Sequence, residues 1–172
     1  PIGTGLVNTA AKADMVSETS RKLAIGQMRC LNYYASEILK DYEVHGCTDV
    51  TGFSLAGHAL EMAEGSQVTI KIDTKKIPFL PDVEEYAKMG LVPEGTYRNK
   101  EFLREKIKLN DTIKESFEDL LFDPQTSGGL LVSLKKKDAK EVLKRLQEQE
   151  QTRYSKIVGE VEEKQEAHLI FL

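Results

Sequence analysis

Two polar, glycine-bearing segments run directly into apolar runs of different period, and this pairing limits the chain to a fold that mixes helices with strands. In the first, His45-Gly46-Cys47-Thr48-Asp49-Val50-Thr51-Gly52-Phe53 reads as a compact polar loop leading into a helical pattern over residues 54–63. In the second, Asp123-Pro124-Gln125-Thr126-Ser127-Gly128-Gly129 leads into Leu130-Leu131-Val132, a short buried strand. Asp-Pro starts a turn there, and Ser-Gly-Gly provides for positive φ or close backbone approach.

The rest of the chain fills in the same mixture. Gly3-Thr4-Gly5-Leu6-Val7 reads as a strand, and helical patterns follow over residues 10–15, 17–28 and 31–41, with Ser17 and Glu18 placed to open the second. Residues 67–73 alternate as a half-buried strand, and Pro81 sits at a first-turn position for a short helix through residue 88. Residues 90–112 are weakly periodic and polar and yield no element. Beyond the second motif come a strand over 130–134, an amphipathic helix over 138–149 with Val142, Leu143 and Leu146 on its apolar face, a strand over 155–161, a polar turn over 162–165 and a strand over 167–172. The expected fold class is α+β, a layered α/β/α sandwich with a mixed sheet, in a single domain over residues 1–172.

Composition narrows the function. With 40% hydrophobic and 30% charged residues the chain has an ordinary globular balance. A net charge of −4 argues against a nucleic-acid surface, since phosphate neutralisation needs a basic face. No stretch approaches the roughly 20 apolar residues of a membrane span, so a cytoplasmic location without membrane contact is expected. Cys30 and Cys47 form no ligand array, which argues against a zinc site or a disulfide scaffold. Cys30 is expected in the core, as is at least one of Tyr33 and Tyr34, while His168 opens the last strand in an exposed or core role and His58 lies in the motif helix near the site.

The first motif carries the chemistry. A helix N-terminus attracts phosphate through its dipole and unpaired amides, and a nearby Asp supplies the hard oxygen that Mg2+ prefers. The bland alternative is that Asp49 or Thr51 simply caps the helix.

Taken together, the two motifs resemble the C-terminal half of the selenophosphate synthetase (selenide, water dikinase) family, within the aminoimidazole ribonucleotide synthetase superfamily. Pro1-Ile2-Gly3-Thr4-Gly5 and Lys12-Ala13-Asp14 fit the same family, so the resemblance covers nearly the whole chain. Hydrogenase-maturation and thiamine-monophosphate kinase relatives are similar in plan, but the former typically carry Asp-Pro-Thr-Arg-Gly-Gly at the second motif. One departure is visible, because the family has glycine where this chain has Ser54.

The resemblance implies ATP as substrate and Mg2+ as cofactor, with Asp49 as the metal ligand and Thr48, Thr51 and Gly52 on the nucleotide side. It implies no catalytic residue in this chain. The reactive cysteine or selenocysteine, its partner Lys and a glycine-rich loop belong to an N-terminal domain that is absent here, and the initial Pro in place of Met fits a fragment. The implied partners are that N-terminal domain, ATP and selenide, with a homodimer for the full-length protein, and the fragment alone is expected to be inactive. The alternatives are another ATP-dependent enzyme of the superfamily, in purine biosynthesis or hydrogenase maturation, and a non-catalytic dimerisation module.

Overall fold

In the computed structural model, which describes residues 1–172, the chain opens with a helix, α1 (Thr4–Lys12), where its sequence predicts a strand. The reason is tertiary. Gly3 enters the helix at φ 121°, and the first amides of α1 find acceptors on Asp123 and Gln125, more than a hundred residues away. A lone Gly-Thr-Gly-Leu-Val segment has no such partners, so local propensity points the other way.

Helices α2 (Glu18–Arg29) and α3 (Tyr33–Leu39) follow as expected, and the Ser17 hydroxyl caps α2 by accepting from the Ser20 amide. The first motif is not a loop over its whole length: Val44–Asp49 form strand β1, with alternating burial. Its partner is β4 (Leu130–Leu134), antiparallel, with Asp49 opposite Leu130. Gly46 and Asp49 are poor strand formers, and pairing with an apolar strand overrides that preference.

Helix α4 (Ser54–Gly65) and strand β2 (Val68–Ile72) lie where the pattern puts them. The short helix α5 is Val83–Lys88, with Asp82 rather than Pro81 at its cap, in a left-handed conformation. The weakly periodic stretch contains two regular elements, α6 (Glu94–Leu103) and β3 (Ile107–Leu109). Only Thr96 and Leu103 of α6 are buried, so its polar faces mask the helical period. A further helix, α7 (Glu115–Leu121), had no sequence expectation behind it. The chain closes with α8 (Ala139–Gln147), β5 (Gly159–Glu163) and β6 (Leu169–Phe171), so β5 begins later than expected and takes in part of the polar turn.

The α+β class and the mixed sheet are as expected. Four strands form that sheet in the order β3-β6-β2-β5, parallel at β3/β6 and β6/β2 and antiparallel at β2/β5, while β1 and β4 make a separate two-stranded ribbon. Helix α4 packs on both β2 and β1 and so links the two sheets.

Beneath α4 the main core gathers Leu55, Ala59, Leu60, Ile70, Ile72, Phe122, Leu169 and Phe171. Burying each of the larger side chains contributes about 1.5–3 kcal/mol. A second core joins α1, α2, α5 and α7 through Leu6, Val7, Ala24, Val83, Tyr86 and Leu120. Phe79 and Phe117, edge to face at 5.3 Å, pack against both. No helix is long and apolar enough to cross a membrane.

Cys30 departs from its expected core role: it is the half-buried C-cap of α2, with its thiol 3.3 Å from the Gln151 carbonyl. Tyr33 is exposed and Tyr34 half-buried, and their rings meet edge-on at 5.8 Å.

Candidate nucleotide and metal site

The fold ties the two motifs and the Gly3-Thr4-Gly5 segment into one knot. Where β1 ends, the Val50 amide donates to the Gly129 carbonyl at 2.9 Å, and the Thr51 carbonyl accepts from both Ser54 (2.9 Å) and Gln125 (3.0 Å) amides. From α6, Asn99 Nδ2 donates to the carbonyls of Gly52 (3.1 Å) and Phe122 (3.0 Å). Residues 49–52 are thus pinned on several sides.

The Asp123 motif acts as a distant cap for α1. Gln125 Oε1 accepts from the Gly3 and Thr4 amides at 2.9 and 3.2 Å and from the Thr4 hydroxyl, while Asp123 Oδ2 accepts from the Gly5 amide at 3.0 Å and from Gln125 Nε2 at 2.8 Å. These side chains occupy the donors at the start of α1, and the motif reads as structural rather than catalytic.

Asp123 is fully buried, and its Oδ1 has no hydrogen-bond partner. Burial pushes its carboxyl up from 3.8 to about 7, against the pull of the Gln125 side chain and the Gly5 amide. Because the folded value lies above the unfolded one, this contribution to stability is fully present below about pH 4 and is lost as pH rises through about 7. Asp123→Asn, which does not titrate, should therefore gain on the native chain as pH rises from 5 to 7, by up to about 1.4 kcal/mol per pH unit. Urea denaturation at several pH values measures the difference. A flat profile would mean that the positive end of α1 holds the carboxylate charged.

At the second motif neither glycine has positive φ, and Ser127 takes that conformation instead, at 49°. Gly128 is needed for close approach: a Cβ there would lie 1.9 Å from the Val50 carbonyl oxygen. Gly129 has open space around its Cα.

The capping alternative for Asp49 and Thr51 fails. The cap position of α4 is Phe53, and the hydroxyl that accepts from a first-turn amide, that of Gly57 at 3.4 Å, belongs to Ser54 and to neither candidate. Asp49 is exposed at the end of β1, and its carboxylate takes part in no hydrogen bond or ion pair within the chain. The half-buried Thr48 hydroxyl donates to the Asp49 carbonyl at 3.1 Å, and Gly52 is exposed. Ser54 sits buried at φ 70°, a conformation that costs an L-residue about 1–2 kcal/mol.

As a metal site this is sparse. No group of three or more His, Cys, Asp or Glu could hold an ion. The residues therefore fit one protein ligand to a Mg2+ that keeps most of its waters and draws further oxygens from a phosphate chain, not a closed cage. The exposed Cys47 thiol is pushed up by partial burial and by the Asp49 charge, which disfavours the nucleophilic thiolate.

One functional candidate is stronger than its sequence suggests. His58 Nε2 lies 3.0 Å from Thr51 Oγ1, and its Nδ1 lies 3.1 Å from Glu61 Oε2. The spacing from 51 to 58 to 61 around a helix start was the available signal. His168 has a structural role, with Nδ1 2.8 Å from the Val68 carbonyl.

With this geometry, comparison with known proteins is decisive at the family level. The family model described as AIR synthase related protein, C-terminal domain, matches residues 2–171. The chain belongs to that family. Among curated proteins, this AIR synthase related domain is 47% identical over 164 residues to selenide, water dikinase of Clostridium botulinum (strain Eklund 17B / Type B), covering 95% of the chain and 47% of that protein. It is 44% identical over 172 residues to selenide, water dikinase 2 of Peptoclostridium acidaminophilum, covering the whole chain and 49% of the relative. The chain therefore spans about half the length of the curated relatives it matches. Among solved structures, the hydrogenase maturation protein HypE of E. coli shares the fold, with a TM-score of 0.67 at 14% identity over 98% of this chain and 42% of that one.

Proposed function

We propose that the chain is the C-terminal domain of a selenide, water dikinase, helping to bind Mg-ATP for the conversion of ATP, selenide and water to selenophosphate, phosphate and AMP. The observation that carries this reading is the exposed Asp49 carboxylate, unpaired within the chain and held a few residues ahead of the start of α4. The relatives' names support the reaction.

In this reading Asp49 is a Mg2+ ligand, and Thr48, Thr51 and Gly52 shape the nucleotide side. The bound ion neutralises phosphate charge as it develops, which phosphoryl transfer requires more than it requires a protein nucleophile. The chain's own part is to hold one carboxylate and the adjoining hydroxyls at a fixed place, through the pinning of residues 49–52. The catalytic thiol or selenol, the rest of the metal ligands and the dimer contacts belong to the N-terminal half, and a cytoplasmic location suits the substrates.

The isolated chain should unfold cooperatively in urea yet form no AMP from ATP and selenide, because one carboxylate cannot align metals and triphosphate. A two-domain protein carrying it as the C-terminal half should form AMP only when selenide is present. Robust selenide-dependent AMP formation by the chain alone would overturn this division of labour, and ATP turnover indifferent to selenide in the two-domain protein would assign it to another branch of the superfamily.

A further inference from the structure

Thr51, His58 and Glu61 form a hydrogen-bonded array from the loop after β1 into the second turn of α4. With His58 neutral, the array's polarity follows from counting protons. A carboxylate has none to give, so the Glu61 contact requires a hydrogen on His58 Nδ1. A neutral imidazole carries only one such hydrogen, which leaves Nε2 bare. The only donor facing Nε2 is then the Thr51 hydroxyl, whose single proton is committed to the ring.

Thr51 and His58 are held in place, while Glu61 at the outer end is 60% exposed. The Thr51 carbonyl is held by two amides, and the His58 side chain is only 15% exposed and stands edge-on to Phe53 at 5.9 Å. We propose that His58 is a positioning residue that fixes the Thr51 hydroxyl as a donor into the imidazole, so that the Thr51 oxygen offers its ligand only lone pairs. An oxygen of that kind suits a hydrated cation, whose waters donate, and not a phosphate oxygen, which needs a donor. The inference rests on the Mg2+ reading of Asp49 and refines the part of Thr51, which meets the nucleotide through the cation's water shell and not by a hydrogen bond to phosphate, with Glu61 setting the tautomer, as outer-shell carboxylates do for histidines.

The test uses a 15N-labelled two-domain protein that carries this chain as its C-terminal half, with ATP and with Mn2+ as a paramagnetic stand-in for Mg2+. Long-range 1H–15N correlation should find the Nδ1–H tautomer at His58, and Mn2+ should broaden the Asp49 and Thr51 amides. His58→Leu should weaken that broadening about tenfold, the low end of what outer-shell partners contribute. His58→Gln, whose carbonyl can take the Thr51 proton, should restore most of it, a rescue that a purely packing role does not explain. A hydrogen on Nε2 in the unsubstituted protein, in the Nε2–H tautomer or in the imidazolium, overturns the proposal without need of any variant, as does equal Mn2+ affinity in His58→Leu. Absence of Mn2+ broadening that depends on Asp49 would instead sink the metal reading beneath it.

Discussion

Asp49→Asn, in a two-domain protein that carries this chain as its C-terminal half, should lower selenide-dependent AMP formation by more than about 100-fold, since outer-shell partners of metals alone cost about 10–100-fold. Asn keeps the volume and one oxygen but loses the charge that a hard divalent ion needs. Stability should move by less than about 0.5 kcal/mol, because the Asp49 side chain is exposed and makes no hydrogen bond or ion pair within the chain. The separation matters: a residue of structural importance would lose fold and activity together. Turnover against Mg2+ concentration, set beside the urea midpoint, reads both quantities. Full activity with unchanged Mg2+ dependence would remove Asp49 from the metal site.

The second large effect is on stability. Gly128→Ala places a methyl 1.9 Å from the Val50 carbonyl oxygen, and the contact is with backbone, not with the flexible end of a side chain. Val50 is buried and its amide is bonded to Gly129, so the strand end cannot retreat without breaking the junction of β1 and β4. The expected cost is about 3 kcal/mol, at the upper end of overpacking. Gly129→Ala, with nothing within 4 Å of the added methyl, should stay within about 0.5 kcal/mol. Two adjacent glycines thus make opposite predictions, and thermal or urea denaturation of the pair decides. Equal effects would mean that the turn is not held by that approach.

The same clash bears on the site. Gly128 lets the second motif lie against the end of β1, and the Gln125 amide then holds the Thr51 carbonyl. Loss of that approach should loosen residues 49–52 as well as the sheet, so in the two-domain protein Gly128→Ala should lower both stability and turnover, unlike Asp49→Asn.

Much of the fold was legible because its elements are driven by local pattern. Strands β2 and β4 and helices α2, α4 and α8 announce themselves through alternation, helical spacing or a capping serine, and these signals survive without tertiary partners. The proximity of Asp49, Thr51 and a helix start was also written in the chain, since it is a matter of adjacent residues. Helix α6 stayed hidden because it buries so few side chains that its period carries little apolar signal.

What only the tertiary structure decided are the properties that depend on distant partners. Gly3-Thr4-Gly5 becomes a helix start because Asp123 and Gln125 reach across to its amides. The first motif becomes a strand because β4 pairs with it. Asp49 is left without a partner at the exposed end of β1, and the Thr51 hydroxyl meets a histidine that in turn meets a glutamate on the following helix. The sequence by itself determined the locally patterned elements, β2, β4, α2, α4 and α8, and the closeness of Asp49 and Thr51 to a helix start, since periodicity and neighbouring residues are local. Burial and hydrogen bonding act through space, and they settled which polar groups are consumed in holding the fold and which remain for a ligand.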